Sequence, residues 1–276
     1  MPPSEMNAST AGSSRRARQT AAAVLLALLA ASCGSDSAGA ARAPQTLFQA
    51  STIGALTVGI FEGELTIGAL RQRGDFGLGT FDALDGEMVV LDGEVFQVGT
   101  DGIPRLAADD ATTPFAAVTR FAPDQIFDLA GPLSLAALRE AIDARLPTRN
   151  VPVAVRVSGF LPVVQARSVP RQSQPYPPLA VAVAEQTVFD LTDVHGTMVG
   201  FRTPAYMAQL NAAGYHFHFL SDDRRAGGHI LDVTAGPVRV ALQLLHDFRM
   251  QLPENAAFAD ADLDPGACGA SLVAHP

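Results

Sequence analysis

Apolar residues come mostly in short runs broken by glycine, the pattern of half-buried strands joined by turns. From Thr46 to about Val98 it is nearly continuous, as "LTVGIFEGELTIGALR" and then "GLGTFDALDGEMVVLDGEVFQV". Asp85-Gly86 and Asp92-Gly93 are hairpin-type turn signals flanking a short apolar strand, "EMVVL". The period changes at residues 134–147. There Leu135, Leu138, Ile142 and Leu146 make one apolar stripe, Ser134 offers an N-cap and Pro147 a stop, which predicts a helix. "VPVAVRVSGFLPVVQARSV" returns to strand, a second helix is expected from Pro178 to about Gln186, and "GTMVGFRTP" is strand again. After Leu252-Pro253 an Ala/Asp/Gly-rich tail has little periodicity. Strands outnumber helices and do not alternate with them, so the expected class is α+β with mostly antiparallel sheet.

Composition narrows the function. At 276 residues the chain can hold one large domain or two small ones, and 48% hydrophobic with 17% charged residues makes it globular. A net charge of −9 without any Lys/Arg-rich run argues against nucleic acid as partner. All 19 basic residues are arginine. Without lysine the chain cannot form a Schiff base, anchor pyridoxal phosphate or build a Walker-type phosphate loop.

The N-terminus reads as an export signal. Arg15, Arg16 and Arg18 precede "TAAAVLLALLAAS", a run too short for an ordinary membrane span, and Cys33-Gly34 follows. The expectation is a signal peptide over 1–33 of lipoprotein type, with Cys33 lipidated, although Ala30 stands where such boxes usually have leucine. The alternative is plain cleavage near Ala31. Residues 34–45 then form a flexible tether, 46–150 an N-terminal β-rich subdomain, 151–258 a C-terminal metal-binding subdomain and 259–276 the tail. Cys268 is left without an intramolecular partner, so no disulfide is expected.

The chemistry concentrates in "GYHFHFLSDDRRAGGHI", residues 214–230. On a strand, His216 and His218 share one face while Tyr215, Phe217 and Phe219 line the other. "SDDRRAGG" is then the turn. If His229 pairs across from His218, their Cβ atoms lie roughly 5 Å apart and three imidazoles converge. Three protein ligands with open positions suit a catalytic zinc or another divalent metal. Lone histidines are usually structural or exposed, and His195, His246 and His275 are read so. A cupin would want a glutamate soon after the pair, for which Asp222 and Asp223 in a turn are poor substitutes.

These motifs taken together resemble the α-acetolactate decarboxylase family. The resemblance is carried by "GLGTFDALDGEMVVLDG", "TTPFAAVTRF", "RSVPRQSQPYPPL", "GTMVGFRTPAY" and "GYHFHFLSDDRRAGGHIL", in the family's order from about residue 46 to 258. It implies a two-sheet fold, commonly dimeric, with Zn2+ on His216, His218 and His229. It also implies conversion of 2-acetolactate to acetoin and CO2. Decarboxylation needs an electron sink, and in a chain without lysine a metal on the ketone oxygen can provide it. By family motif, Arg167 of "ARSVP" grips the carboxylate, Glu87 of "LDGEM" handles protons and Thr80 of "GLGTF" lines the pocket. Residue pattern alone does not prefer Glu87 over Glu94. One departure stands out: the family usually supplies a second glutamate from its tail. After Glu254 this chain has only Asp260, Asp262 and Asp264. Two other readings remain at this point: another metal-dependent lyase acting on a 2-hydroxy-3-keto acid, or a lipid-tethered, non-catalytic metal-binding protein.

Overall fold

Two seven-stranded sheets share an apolar seam, and the sequence explains which face of each strand lines it. The computed structural model describes residues 45–264, which all belong to one compact unit. Residues 1–44, which hold the expected signal with Cys33 and all but the last residue of the expected 34–45 tether, and residues 265–276 with Cys268 lie outside the described residues. Gln45 already belongs to the fold, with its side-chain amide donating to Asp124 Oδ1 at 3.2 Å.

The first sheet contains β1 (Thr46–Ala50), β3 (Phe76–Thr80), β4 (Glu87–Leu91), β5 (Glu94–Val98), β6 (Pro104–Leu106), β8 (Ala116–Thr119) and β16 (Asp247–Gln251). Their order is β16-β1-β8-β3-β4-β5-β6, and only the β1–β16 pair is parallel. A small ladder joins β2 (Leu65–Thr66) to β7 (Thr112–Thr113). The second sheet contains β9 (Gln125–Leu129), β10 (Leu133–Ser134), β11 (Val153–Ser168), β12 (Thr187–Thr203), β13 (Gly214–Ser221), β14 (Gly227–Ala235) and β15 (Val238–Leu244). All its pairs are antiparallel. Because β14 pairs with both β13 and β11, strands β11 to β14 close a ring. The chain thus leaves the first sheet after Thr119 and returns to it at Asp247.

Strand parity sorts the side chains. Phe76, Leu78, Val89 and Leu91 of the first sheet meet Ala154, Val199, Phe201 and Leu220 of the second in one core. On the outer side of the first sheet, Met88 and Val90 pack with Ile67 and Leu70 of α2 (Ile67–Arg71). On the outer side of the second, Phe217 and Phe219 pack with Leu135, Leu138 and Ile142 of α3 (Leu135–Asp143). Burying two phenylalanines contributes roughly 1.5–3 kcal/mol each, enough to fix the register of β13.

Helix α3 starts as its sequence requires, with Ser134 Oγ accepting from the Ala137 N–H at 3.3 Å. It ends earlier than Pro147 dictates, because Arg145 and Leu146 tighten into i→i−3 bonds to Ile142 and Asp143. The second expected helix is α4 (Leu179–Val183), shorter than Pro178–Gln186, with Leu179 and Ala182 buried. They pack in a fourth cluster with Leu56 of α1 (Ile53–Thr57). The tail carries one further helix, α5 (Ala256–Ala259), capped by Asn255.

The two Asp-Gly signals part company. Asp92-Gly93 is a two-residue turn with φ of 52° and 84°, and Leu91 pairs with Glu94 across it. Asp85-Gly86 instead ends a six-residue loop, since Thr80 pairs with Glu87. Inside that loop Ala83 and Leu84 both adopt left-handed φ, 58° and 57°. They are buried, and Leu84 joins the α1/α4 cluster, so burial of the loop's apolar residues overrides the tighter hairpin.

Candidate active site

The parity that builds the seam also builds the site. On β4, Glu87 shares its face with Val89 and Leu91; on β3, Thr80 shares its face with Phe76 and Leu78. On β13, His216 and His218 lie on the face of Leu220. On β14, His229 stands directly across from His218, as the spacing requires, and across from Arg167 of β11 on its other side. Each neighbour along the chain points the opposite way, with Ala166, Phe217 and Ile230 in the outer core. His216, His218, His229, Arg167, Glu87 and Thr80 therefore occupy one side of one seam.

The ligand nitrogens of the three histidines all lie within 4.8 Å of one another. His216 Nε2 is 3.2 Å from His218 Nε2 and 3.1 Å from His229 Nδ1. Tetrahedral zinc with bonds of about 2.0–2.1 Å has ligand-to-ligand edges of roughly 3.3–3.4 Å, so this spacing fits a metal. The donor chemistry agrees. His218 Nδ1 lies 2.7 Å from the Met88 carbonyl, so it carries the proton and leaves the Nε2 lone pair facing the other rings. Three such nitrogens with no cation would crowd lone pairs together. Burial, reinforced by the positive charge of Arg167, pushes the His216 imidazolium down to about 4. His218 is held well below its ordinary value by burial, then by His216 and Arg167, against the opposing bond to Met88. Both imidazoles are thus neutral near pH 7, the form that binds metals.

Glu87 is 7% exposed and its Oε2 lies 3.4 Å from His218 Nε2. Burial raises its carboxyl to about 7, with Arg167 pulling the other way. A cation in the site would lower it further. Glu94, which the residue pattern could not separate from Glu87, is exposed at the start of β5. Thr80 is buried and its hydroxyl donates to the Gly86 carbonyl at 2.7 Å, tying β3 to the loop that delivers Glu87.

Two contacts had no signal in the sequence. Gln186, between α4 and β12, accepts from Arg167 Nη1 at 3.1 Å. The Met88 carbonyl reaches His218 only because the first sheet packs on the second. The tail aspartates stay apart from the site. Asp260, Asp262 and Asp264 are exposed, Asp264 N–H donates to Asp262 Oδ1 at 3.1 Å, and none of the three belongs to the ligand cluster.

Fold and site together define a two-sheet α+β protein whose three-histidine centre could hold a metal, with a carboxyl and a guanidinium beside it. Residues 47–265 match the family model described as alpha-acetolactate decarboxylase. The alpha-acetolactate decarboxylase of Methanosarcina mazei is 46% identical over 221 residues, covering 80% of this chain and 77% of that one. That of Methylococcus capsulatus is 44% identical over 217 residues, covering 79% and 84%. The crystal structure of alpha-acetolactate decarboxylase from Bacillus subtilis strain 168 superposes with a TM-score of 0.79 at 34% identity, covering 81% of this chain and 96% of that one. The chain belongs to the alpha-acetolactate decarboxylase family, a family of carboxy-lyases.

Proposed function

We propose that His216, His218 and His229 hold a divalent metal, zinc, and that at this centre the chain carries out its family's reaction. That reaction converts 2-acetolactate to acetoin and CO2. The observation that supports the metal centre is the spacing of the three ring nitrogens on the β13–β14 hairpin, at 3.1 and 3.2 Å. When bound, the metal supplies a Lewis acid for the ketone oxygen, the electron sink the reaction needs.

The chain's own residues supply the rest. Arg167 binds the substrate carboxylate as a charged fork and orients the bond that breaks. As the carbon–carbon bond breaks, CO2 leaves, the electron pair stays on the ketone fragment, and one proton must be added to that carbon. Glu87 holds and returns a proton at its carboxyl group beside His218. Thr80, cross-strand from Glu87, closes the pocket wall. The seam keeps water out: His218 is 1% exposed, whereas His216, His229 and Arg167 are part-exposed and mark the open side.

The test is metal analysis of the purified protein together with acetoin formation from racemic acetolactate. About one metal per chain is expected, with acetoin production lost on chelation and restored by zinc. Acetoin production by metal-free protein would overturn the reading. On the family resemblance the working unit is a homodimer, which sedimentation would check. The Arg15–Cys33 pattern supports export and a lipid anchor on Cys33, placing the enzyme in the periplasm or on a bacterial membrane. Mass spectrometry of wild type and Cys33→Ala decides this, and a soluble wild-type protein beginning beyond Cys33 would refute it.

A further inference from the structure

Helix α4 ends where β12 begins, and Gln186 stands at the joint, its N–H donating to the Val183 carbonyl at 3.0 Å. Its side chain reaches β11, where Arg167 Nη1 donates to Gln186 Oε1 at 3.1 Å. A guanidinium carries only donors, so the amide must present its oxygen there. Among the described residues Arg167 forms no ion pair with a carboxylate, and its Nε is buried without a hydrogen-bond partner.

A buried, unpaired N–H next to a held Nη1 describes a guanidinium fixed on one edge and unsatisfied on another. We propose that Gln186 is a positioning residue for carboxylate binding: a neutral acceptor that fixes the orientation of Arg167 without cancelling its charge. This rests on the reading that Arg167 binds the substrate carboxylate. The choice of an amide is the informative part. A glutamate there would hold the guanidinium more strongly, through a charge-assisted bond, but would leave a neutral pair for an anionic substrate to displace. An apolar residue would leave the full charge on an untethered side chain. Only a neutral acceptor gives both orientation and charge. The helix that carries Gln186 is anchored independently, by Leu179 and Ala182 in their own apolar cluster, so the acceptor is presented from a fixed point.

The experiment uses the metal-loaded enzyme and two probes. One is 2-hydroxy-2-methylpropanoate, a hydroxy acid without the ketone, and the other is acetoin, which lacks the carboxylate. Calorimetry measures each on wild type, Gln186→Glu, Gln186→Met and Arg167→Met, with metal content and thermal midpoint as fold controls. Gln186→Glu is expected to weaken the hydroxy acid by about tenfold or more, because the guanidinium charge that attracts the carboxylate is cancelled. Acetoin binding should stay within about twofold, within the small change expected when no charge is read. Gln186→Met should fall between wild type and Gln186→Glu for the acid, and it keeps the test available if the glutamate variant does not fold. A merely structural contact would instead lower the thermal midpoint and shift both probes together, which would overturn the proposal. Unchanged acid binding in both Gln186 variants, with Arg167→Met still losing it, would overturn the positioning role alone. If Arg167→Met also keeps the acid, the carboxylate reading of Arg167 falls first.

Discussion

His218 and His216 are held differently, although they are two residues apart on one strand face. His218 Nδ1 is fixed on the Met88 carbonyl, whereas His216 Nδ1 is buried without a partner. A ligand oriented through its second nitrogen typically keeps its metal better. Single alanine variants of His216, His218 and His229 should each lose metal and turnover, as elemental analysis and acetoin assay would read. Stoichiometric metal in any two of them would sink the assignment. The carboxyl groups divide unevenly. Glu87→Gln should lower kcat by roughly 10²–10⁴-fold, the usual loss of an acid–base group. Truncation after Phe258 should lower it only modestly with zinc still bound, since the tail aspartates are exposed. Equal damage from both changes, with the fold intact, would end that division. The histidines were legible because strand alternation and one turn bring them together within residues 216–229. Glu87 and Arg167 were not legible from pattern alone. Their meeting depends on one sheet packing on another, and no local period reports that.

At the scale of elements, the loop between β3 and β4 shows why a dipeptide signal can mislead. Asp85-Gly86 predicts a tight turn, but Ala83 and Leu84 bury apolar side chains and take left-handed backbone to do so. The loop is held from several sides. Ala83 N–H donates to the Phe61 carbonyl at 2.7 Å, the Ala83 carbonyl accepts from the Gln172 N–H at 2.8 Å, and Asp82 pairs with Arg171 at 3.2 Å. Non-glycine residues in this conformation cost about 1–2 kcal/mol each, stored next to Glu87. Ala83→Gly should be nearly neutral, since relieving that strain offsets the loss of one buried methyl, worth about 0.8 kcal/mol. Ala83→Val should cost several times more, about 2–5 kcal/mol from strained backbone and overpacking together. Denaturant unfolding of the two variants decides it, and similar midpoints would contradict the strained assignment. Helix α3 was readable from cap to stripe because all its signals are local. Its early end was not, because nothing in the sequence before Pro147 marks the tightened last turn.

For the whole molecule, the site crosses the seam between the sheets, with His218 of the second fastened to Met88 of the first. A metal bound to the folded state alone should therefore stabilise the fold, by about 2.7 kcal/mol at a free concentration a hundred times Kd. Chelation should lower the thermal midpoint and added zinc should restore it; an unchanged midpoint would mean the centre is uncoupled from folding. The class of fold was legible from strand-rich, non-alternating patterning, but the pairing of the sheets was not. The reason is visible in β16, which lies beside β1 in parallel register, Thr46 opposite Asp247. That neighbour is some two hundred residues away along the chain, beyond any window of periodicity. It also sets an order in time. The first sheet lacks its outermost strand until the ribosome has made residue 251, so during synthesis β1 has one open edge. A growing chain in that condition cannot complete its native sheet, and its unpaired backbone groups stay available to any other strand that meets them. Release of the last strand is then what lets the sheet close.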